Sequence, residues 1–160
     1  MPQDVHAQQE HVLAAVRQHA DAHVALVSGA RAGALVTFTG MIRDHDPEAE
    51  GEVTGIDYSH HPDADALLAR MVERLLAERD PSGAAAVAVS HRVGHLEVGE
   101  LALVCCVATP HRAEAFALCA EVVEVIKAEL PIWKHQTEAS GRKVWSQLGL
   151  DAGSADGERP

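Results

Sequence analysis

Positive charge is in short supply in this chain. Thirteen Lys and Arg stand against 24 Asp and Glu, a formal charge of −11 over 160 residues. So acidic a surface repels phosphate backbones and anionic headgroups, which argues against a general nucleic-acid or membrane-surface binder. No apolar run is long enough to cross a bilayer and no secretory-leader pattern is present, so the expectation is a soluble, cytoplasmic protein. Metal-ligand spacing is missing too. Eleven histidines are scattered without an HxxH or HExxH pair, and the three cysteines show no metal or redox spacing. No metal is expected. Cys105 and Cys106 adjoin in an apolar run, so on a strand they point to opposite faces, and Cys119 falls in a helical pattern. All three read as buried structural thiols. No internal repeat or second domain is visible.

What is present suits one globular domain. Apolar residues make up 47% and charged residues 23%, and the length is enough to bury a core without staples. The domain is expected over residues 1–150, with the small, polar, acidic stretch 151–160 as a disordered tail. In an acidic protein an anionic small molecule binds only where a few basic side chains converge. The stretch Lys127-Ala-Glu-Leu-Pro-Ile-Trp-Lys134 is the first candidate. It follows a helical apolar pattern of Phe116, Cys119, Val122, Val123 and Ile126. Pro131 stops that helix and drives Leu130 into an extended conformation. Two lysines flank the stop, the second beside Trp133, and partial desolvation would make such an amine a base or nucleophile. The alternative is two solvated surface lysines.

Along the chain, Val12 to Val16 reads equally as a helix or a short strand. Asp21 is a candidate N-cap for a short helix through Val27, ended by Gly29. Gly33 to Gly40 reads as a buried strand, and the acidic, turn-rich Asp44 to Gly51 as a flexible loop. Arg43 therefore sits at a strand end beside a mobile loop, placed either to bind a substrate anion or to pair with Asp44 or Asp46. Val53 to Tyr58 alternates and reads as a strand pairing with the previous one. A helix from Pro62 to about Arg79 carries the core stripe Leu67, Leu68, Met71, Val72, Leu75 and Leu76, and Asp80 to Gly83 closes it. Strands over Ala84–Val93 and Leu101–Ala108, joined by Gly94 to Gly99, predict a hairpin. Thr137 to Gly141 reads as a turn and Arg142 to Trp145 as a short last strand.

Thr109-Pro110-His111-Arg112 is the second candidate. Thr109 reads as an N-cap with Pro110 at the first helical position, leaving His111 and Arg112 in the first turn. Basic groups there oppose the helix dipole, so they make best sense where a phosphate or carboxylate docks. The alternative is a tolerated surface pair. His111 and Lys127 are sixteen residues apart on one helix, a rise of about 24 Å. One small substrate cannot touch both from the same chain. A two-fold dimer that sets one helix start against another helix end would let them share a site.

Four segments occur in order: Phe38-Thr39-Gly40-Met41-Ile42-Arg43; His91-Arg92-Val93-Gly94 with Gly99-Glu100; His111 to Phe116; and Lys127 followed by Pro131-Ile132-Trp133-Lys134. Together they resemble the large, catalytic subunit of molybdopterin synthase, the MoaE family, over roughly Val12 to Trp145. The resemblance implies a single-domain α+β fold of the α/β-hammerhead type, an antiparallel sheet with packed helices, and Val12 to Val16 as a strand. It implies a homodimer inside a heterotetramer with a small, ubiquitin-like sulfur-carrier subunit, whose C-terminal Gly-Gly ends in a thiocarboxylate. The implied reaction places two sulfurs in cyclic pyranopterin monophosphate, forming the molybdopterin dithiolene without a further cofactor. Sulfur then arrives on the partner, in keeping with the lack of an activated cysteine.

By position, the resemblance makes Lys127 the residue nearest the thiocarboxylate, acting as acid/base or through a transient covalent link. Lys134 would hold substrate charge and assist proton transfer. Arg43, His111 and Arg112 would bind the phosphate and pterin, and Phe38 would line the channel for the carrier tail. Two departures stand out. Relatives often carry a basic residue and then Glu after the second lysine, where this chain has His135-Gln136, which removes a possible charge partner for a lysine. Tyr58 is followed by Ser59-His60-His61 where relatives often have Glu. The rival reading is a non-catalytic module that docks a ubiquitin-like partner or holds a pterin phosphate. Both lysines, Arg43 and the His111-Arg112 pair count against it, since docking alone needs no such cluster.

Overall fold

The computed structural model describes residues 9–14 and 20–147. In chain order the elements are β1 (Gln9–Ala14), α1 (Ala20–Val27), β2 (Ala34–Met41), β3 (Val53–His60), α2 (Ala64–Arg79), β4 (Ala86–Arg92), β5 (Gly94–Glu97), β6 (Leu101–Thr109), α3 (Arg112–Glu129), β7 (Ile132–Glu138) and β8 (Lys143–Gln147). The strands form two four-stranded sheets, ordered β1-β4-β6-β2 and β5-β3-β7-β8. All pairings are antiparallel except β1 with β4. The result is an α+β domain with antiparallel sheets and packed helices, as expected.

The middle of the first sheet holds the core. After their first residues β4 and β6 are buried throughout, which is how a strand reads when helices cover both faces. Alternation sorts the side chains. Val87, Val89, Cys105 and Val107 face a cluster with Leu68, Val72, Leu118, Val122 and Ile126 of α2 and α3. Ala88, Val104, Cys106 and Ala108 face the other way, onto α1. Cys105 and Cys106 do point to opposite faces. The second sheet adds Ile56, Tyr58, Leu96 and Ile132 to the larger cluster. Helix α2 buries Ala64, Leu68, Met71, Val72, Leu75 and Leu76, an i, i+4, i+7, i+8 stripe as its pattern predicts. Leu67 is only partly covered. Past its end, the Asp80 carboxylate accepts from the Ala85 N–H at 2.7 Å, and Gly83 takes the left-handed φ of +67° that closes the turn. No helix among the described residues is long and apolar enough to cross a membrane.

Several expectations give way. β3 does not pair with β2; it pairs with β5 and β7. A register shift at Gly40/Met41 bends the end of β2 out of its ladder with β6, and Ile42 then bonds to the segment before β6 through Glu100 and Gly99. Alternation sets which face of a strand is buried, not which neighbour it takes. Gly94 to Glu97 is no mere connection but strand β5 of the second sheet, held by fully buried Leu96. β4 and β6 are antiparallel neighbours, yet the chain leaves their sheet between them. Helix α1 begins at Ala20, so Asp21 lies within its first turn. Gly29 takes no left-handed φ to stop it. Thr137 belongs to β7 and not to the following turn. Of the strand that the resemblance implied over Val12 to Val16, Val12 to Ala14 lies in β1; Ala15, Val16 and the 151–160 tail lie outside the described residues.

One close approach pins the start of β2. The Gly33 N–H donates to the Thr109 carbonyl at 3.0 Å, and a Cβ on Gly33 would collide with the Pro110 carbonyl oxygen. Gly33→Ala is expected to lower unfolding free energy by about 1–3 kcal/mol. Gly29→Ala, with open space around it, should stay within about 0.5 kcal/mol of wild type. Urea denaturation of the two variants checks the pair, and equal midpoints would contradict the packing account.

Candidate active site

Helix α3 ends where the sequence requires. Leu130 is extended at φ −71°, ψ 124°, and its N–H still bonds to the Ile126 carbonyl. Leu130 and Ile132 on either side of Pro131 are buried in the core, so the chain turns at once from helix to strand. Lys127 falls in the last turn of α3, where a cation suits the dipole. Inward positions of β7 alternate Ile132, Lys134, Gln136 and Glu138, while Trp133 and His135 take the other face. His135 stacks on Trp145 at 4.1 Å between ring centroids.

Both lysines border a cavity of about 650 Å³ that Phe38 and Arg43 also line. Lys127 is exposed there, so burial within one chain does not desolvate it. Lys134 is mostly covered, its side chain 18% exposed, but not by Trp133, which points away. Its cover is the loop between β2 and β3. Lys134 Nζ donates to Asp46 Oδ2 at 2.9 Å and lies 3.7 Å from Glu48 Oε2. Asp46 also accepts from the Glu48 N–H at 2.9 Å. Burial opposes ionisation of Asp46, but the Glu48 N–H, the Lys134 ammonium and the Gln136 side chain outweigh it and hold the carboxyl below its usual range. Arg43 makes no ion pair among the described residues; Asp44 bonds to His45 and Asp46 to Lys134.

The cavity floor is less polar. Tyr58 lies opposite Lys134 in the β3–β7 register and meets His91 edge-on at 4.9 Å. Burial, with the Asp46 charge adding, pushes the Tyr58 phenol up to about 12. His91 Nδ1 donates to the Arg92 carbonyl at 2.6 Å, which fixes the proton on Nδ1 and leaves Nε2 as an acceptor. Burial pulls the His91 pKa down to about 4, against the Arg92 hydrogen bond. The imidazole is therefore neutral near pH 7. Gln136 is fully buried on the same floor, and neither amide atom makes a well-formed hydrogen bond, though the side chain is near enough to Asp46 to favour its charge.

Of the six residues singled out from the sequence, the fold brings Phe38, Arg43, Lys127 and Lys134 to one cavity. His111 and Arg112 are exposed at the other end of α3 and line no part of it. The helix begins later than its composition suggests. His111 is the N-cap, at φ −130°, and the first helical residue is Arg112. Thr109 ends β6, and its hydroxyl donates to the His111 carbonyl at 2.7 Å. Phe116, part of the apolar pattern that marks the helix, is 64% exposed on α3. The three cysteines are buried. A hydrogen bond with Cys119, then burial, pushes Cys105 far above the usual thiol range, so it keeps its proton. Sequence reasoning missed Asp46, Glu48 and Tyr58 as cavity residues. The first two lay in plain view in the acidic run, but their reach to Lys134 is tertiary. The carboxylate missing at Gln136 is supplied from that loop.

Comparison with known proteins agrees with the motifs. The family model described as MoaE protein matches residues 13–129. The chain is 36% identical over 122 residues to molybdopterin synthase catalytic subunit 1 of Mycobacterium tuberculosis, covering 76% of this chain and 80% of that one. Its fold is similar to the molybdopterin biosynthesis MoaE protein of Burkholderia ambifaria, with a TM-score of 0.73, 25% identity and 92% of each chain covered. It is also similar to molybdopterin synthase from Staphylococcus aureus, with a TM-score of 0.70, 25% identity, and 87% and 96% covered.

The neutral His91 makes stability depend on pH. As pH falls from about 6.5 to about 4, the unfolded chain binds a proton at this position that the folded chain refuses. Wild type is expected to lose about 3 kcal/mol through this group over that window. His91→Gln has no imidazole to protonate, so any stability gap in favour of wild type at pH 7.5 should narrow towards pH 4. Urea unfolding of both proteins across the range checks it; a constant gap would contradict the assignment.

Proposed function

The chain belongs to the MoaE family, and from that premise we propose that it is the catalytic subunit of a molybdopterin synthase. It transfers sulfur from the C-terminal thiocarboxylate of a small ubiquitin-like carrier subunit to cyclic pyranopterin monophosphate. The observation that carries this reading is the meeting of Phe38, Arg43, Lys127 and Lys134 at one cavity in a chain with a net charge of −11. Cations gathered against so acidic a background suit an anionic substrate and an anionic sulfur donor.

The roles follow from chemistry and position. Arg43, lacking an ion pair among the described residues, presents its planar fork to a phosphate or carboxylate. Lys127, exposed at the cavity, is the group that meets the thiocarboxylate and moves a proton or forms a transient acyl link. Lys134 holds charge developing on the substrate. Phe38 gives the carrier's Gly-Gly tail an apolar wall. Buried Tyr58 and neutral His91 supply a polar but uncharged floor. His111 and Arg112 act from a second copy of the chain, because they sit at the start of α3 and Lys127, sixteen residues after His111, sits in its last turn. A homodimer carrying two carrier subunits satisfies that requirement with two equivalent sites. None of the three thiols has to act, because the sulfur comes in on the carrier.

Single-turnover assay with thiocarboxylated carrier and cyclic pyranopterin monophosphate tests the reading. Wild type is expected to form the dithiolene, and folded Lys127→Ala to lose at least about 100-fold in rate. Tight carrier binding by wild type without product would instead favour a docking module.

A further inference from the structure

We propose that Asp46 is the positioning residue for Lys134: its carboxylate fixes that ammonium at the cavity wall and thereby divides the work between the two lysines. The inference rests on reading the cavity as a sulfur-transfer site. Its support is geometric. Lys134 Nζ and Asp46 Oδ2 are 2.9 Å apart, and the two side chains are only 18% and 13% exposed. An ion pair withdrawn from water in this way is screened far less than a surface pair. Glu48 stands behind it at 3.7 Å.

Asp46 is itself well held, which separates it from a chance loop contact. Its other carboxylate oxygen accepts from the Glu48 N–H, and its carbonyl accepts from the Ala49 N–H at 3.0 Å. Both ends of the loop are tied down. Val53 N–H bonds to the Asp44 carbonyl at 2.7 Å, and Glu50 N–H bonds to Glu138 Oε1 at 2.9 Å. Lys134 has three N–H donors, and Asp46 takes one of them. The remainder are available to a ligand in the cavity, at a position the loop has already set.

The other charged groups around the cavity do not repeat this arrangement. They are Arg43, His45, Glu48, Glu124 and Lys127, beside the Tyr58 phenol and the neutral His91. Lys127 has no ion pair among the described residues. Lys134 is therefore the fixed charge that orients substrate, and Lys127 the amine left to exchange a proton or bond with the donor. This split assigns Asp46 a function although it touches neither reactant.

Gln136 provides the control. It lies two residues after Lys134 on the same face of β7, lines the cavity and approaches Asp46. A glutamate there would return a carboxylate to Lys134 from the strand rather than from the loop. The test is competitive labelling of the full-length protein with trace acetic anhydride between pH 7 and 10, each lysine being quantified by mass spectrometry. Asp46→Asn keeps the acceptor for the Glu48 N–H but removes the charge. It is expected to raise Lys134 labelling at pH 8.5 by at least about threefold while Lys127 changes by less than about twofold. Asp46→Asn with Gln136→Glu should return Lys134 towards wild type and recover single-turnover rate lost in the single variant.

Unchanged Lys134 labelling in Asp46→Asn overturns the proposal. So does a joint rise of Lys127 and Lys134, which would mean a loosened loop, or a failure of Gln136→Glu to reverse the effect. Asp46→Ser takes the place of the asparagine variant if that one does not fold. Labelling needs no turnover, so an inactive wild type would sink the sulfur-transfer reading and still leave the contact judged.

Discussion

Pro131 cannot continue a helix, and in this chain it has no room to let the helix drift. Leu130 and Ile132 on either side are both locked in the core, so the change from helix to strand takes place within two residues, Leu130 and Pro131. The cavity depends on that constraint. Lys127 is carried in on the last turn of α3 and Lys134 on the first inward position of β7 after Ile132. Loosening either anchor would alter the distance between the two amines before it affected any contact with a ligand. Each anchor in turn relies on the sheet beneath. β4 and β6 are covered on both faces and give α3 a rigid floor.

Electrostatics in the cavity are local, not global. The net charge of −11 sets a field that disfavours anions over most of the surface. Against it the fold gathers three cations at one cavity and supplies one of them with carboxylates. The floor, by contrast, is kept neutral. Desolvation holds the proton on Tyr58 and keeps a second proton off His91. Charge in the site therefore lies on its walls and not on its floor.

Local signals in the sequence were read well wherever local physics decides. The α2 stripe, the proline stop at Leu130 and the opposed faces of Cys105 and Cys106 all follow from periodicity and backbone sterics. What failed needed knowledge of neighbours. β3 alternates properly, yet its partners lie far along the chain. Gly94 to Glu97 is short and glycine-led, and only the burial of Leu96 against the second sheet makes it a strand. Thr109-Pro110 has the composition of a helix start, but Thr109 is still paired to Ala34 in the first sheet. Phe116 fits the helical period and still points outward. For the site, motifs found the cations and could not find their counter-ion. Asp46 looks like any acidic loop residue until the fold brings it 88 positions along the chain to Lys134.

The rigidity of α3 has a consequence for how this chain can vary. A helix advances 1.5 Å and turns 100° for every residue. Removing one residue between His111 and Lys127 would shorten the rod only slightly but swing one end a quarter-turn and more about its axis. The angular relation between the two basic ends is thus encoded as an integer, the number of residues between them. Length changes within α3 are therefore confined to near-whole turns of three or four residues. The helix acts as a phase standard as well as a spacer.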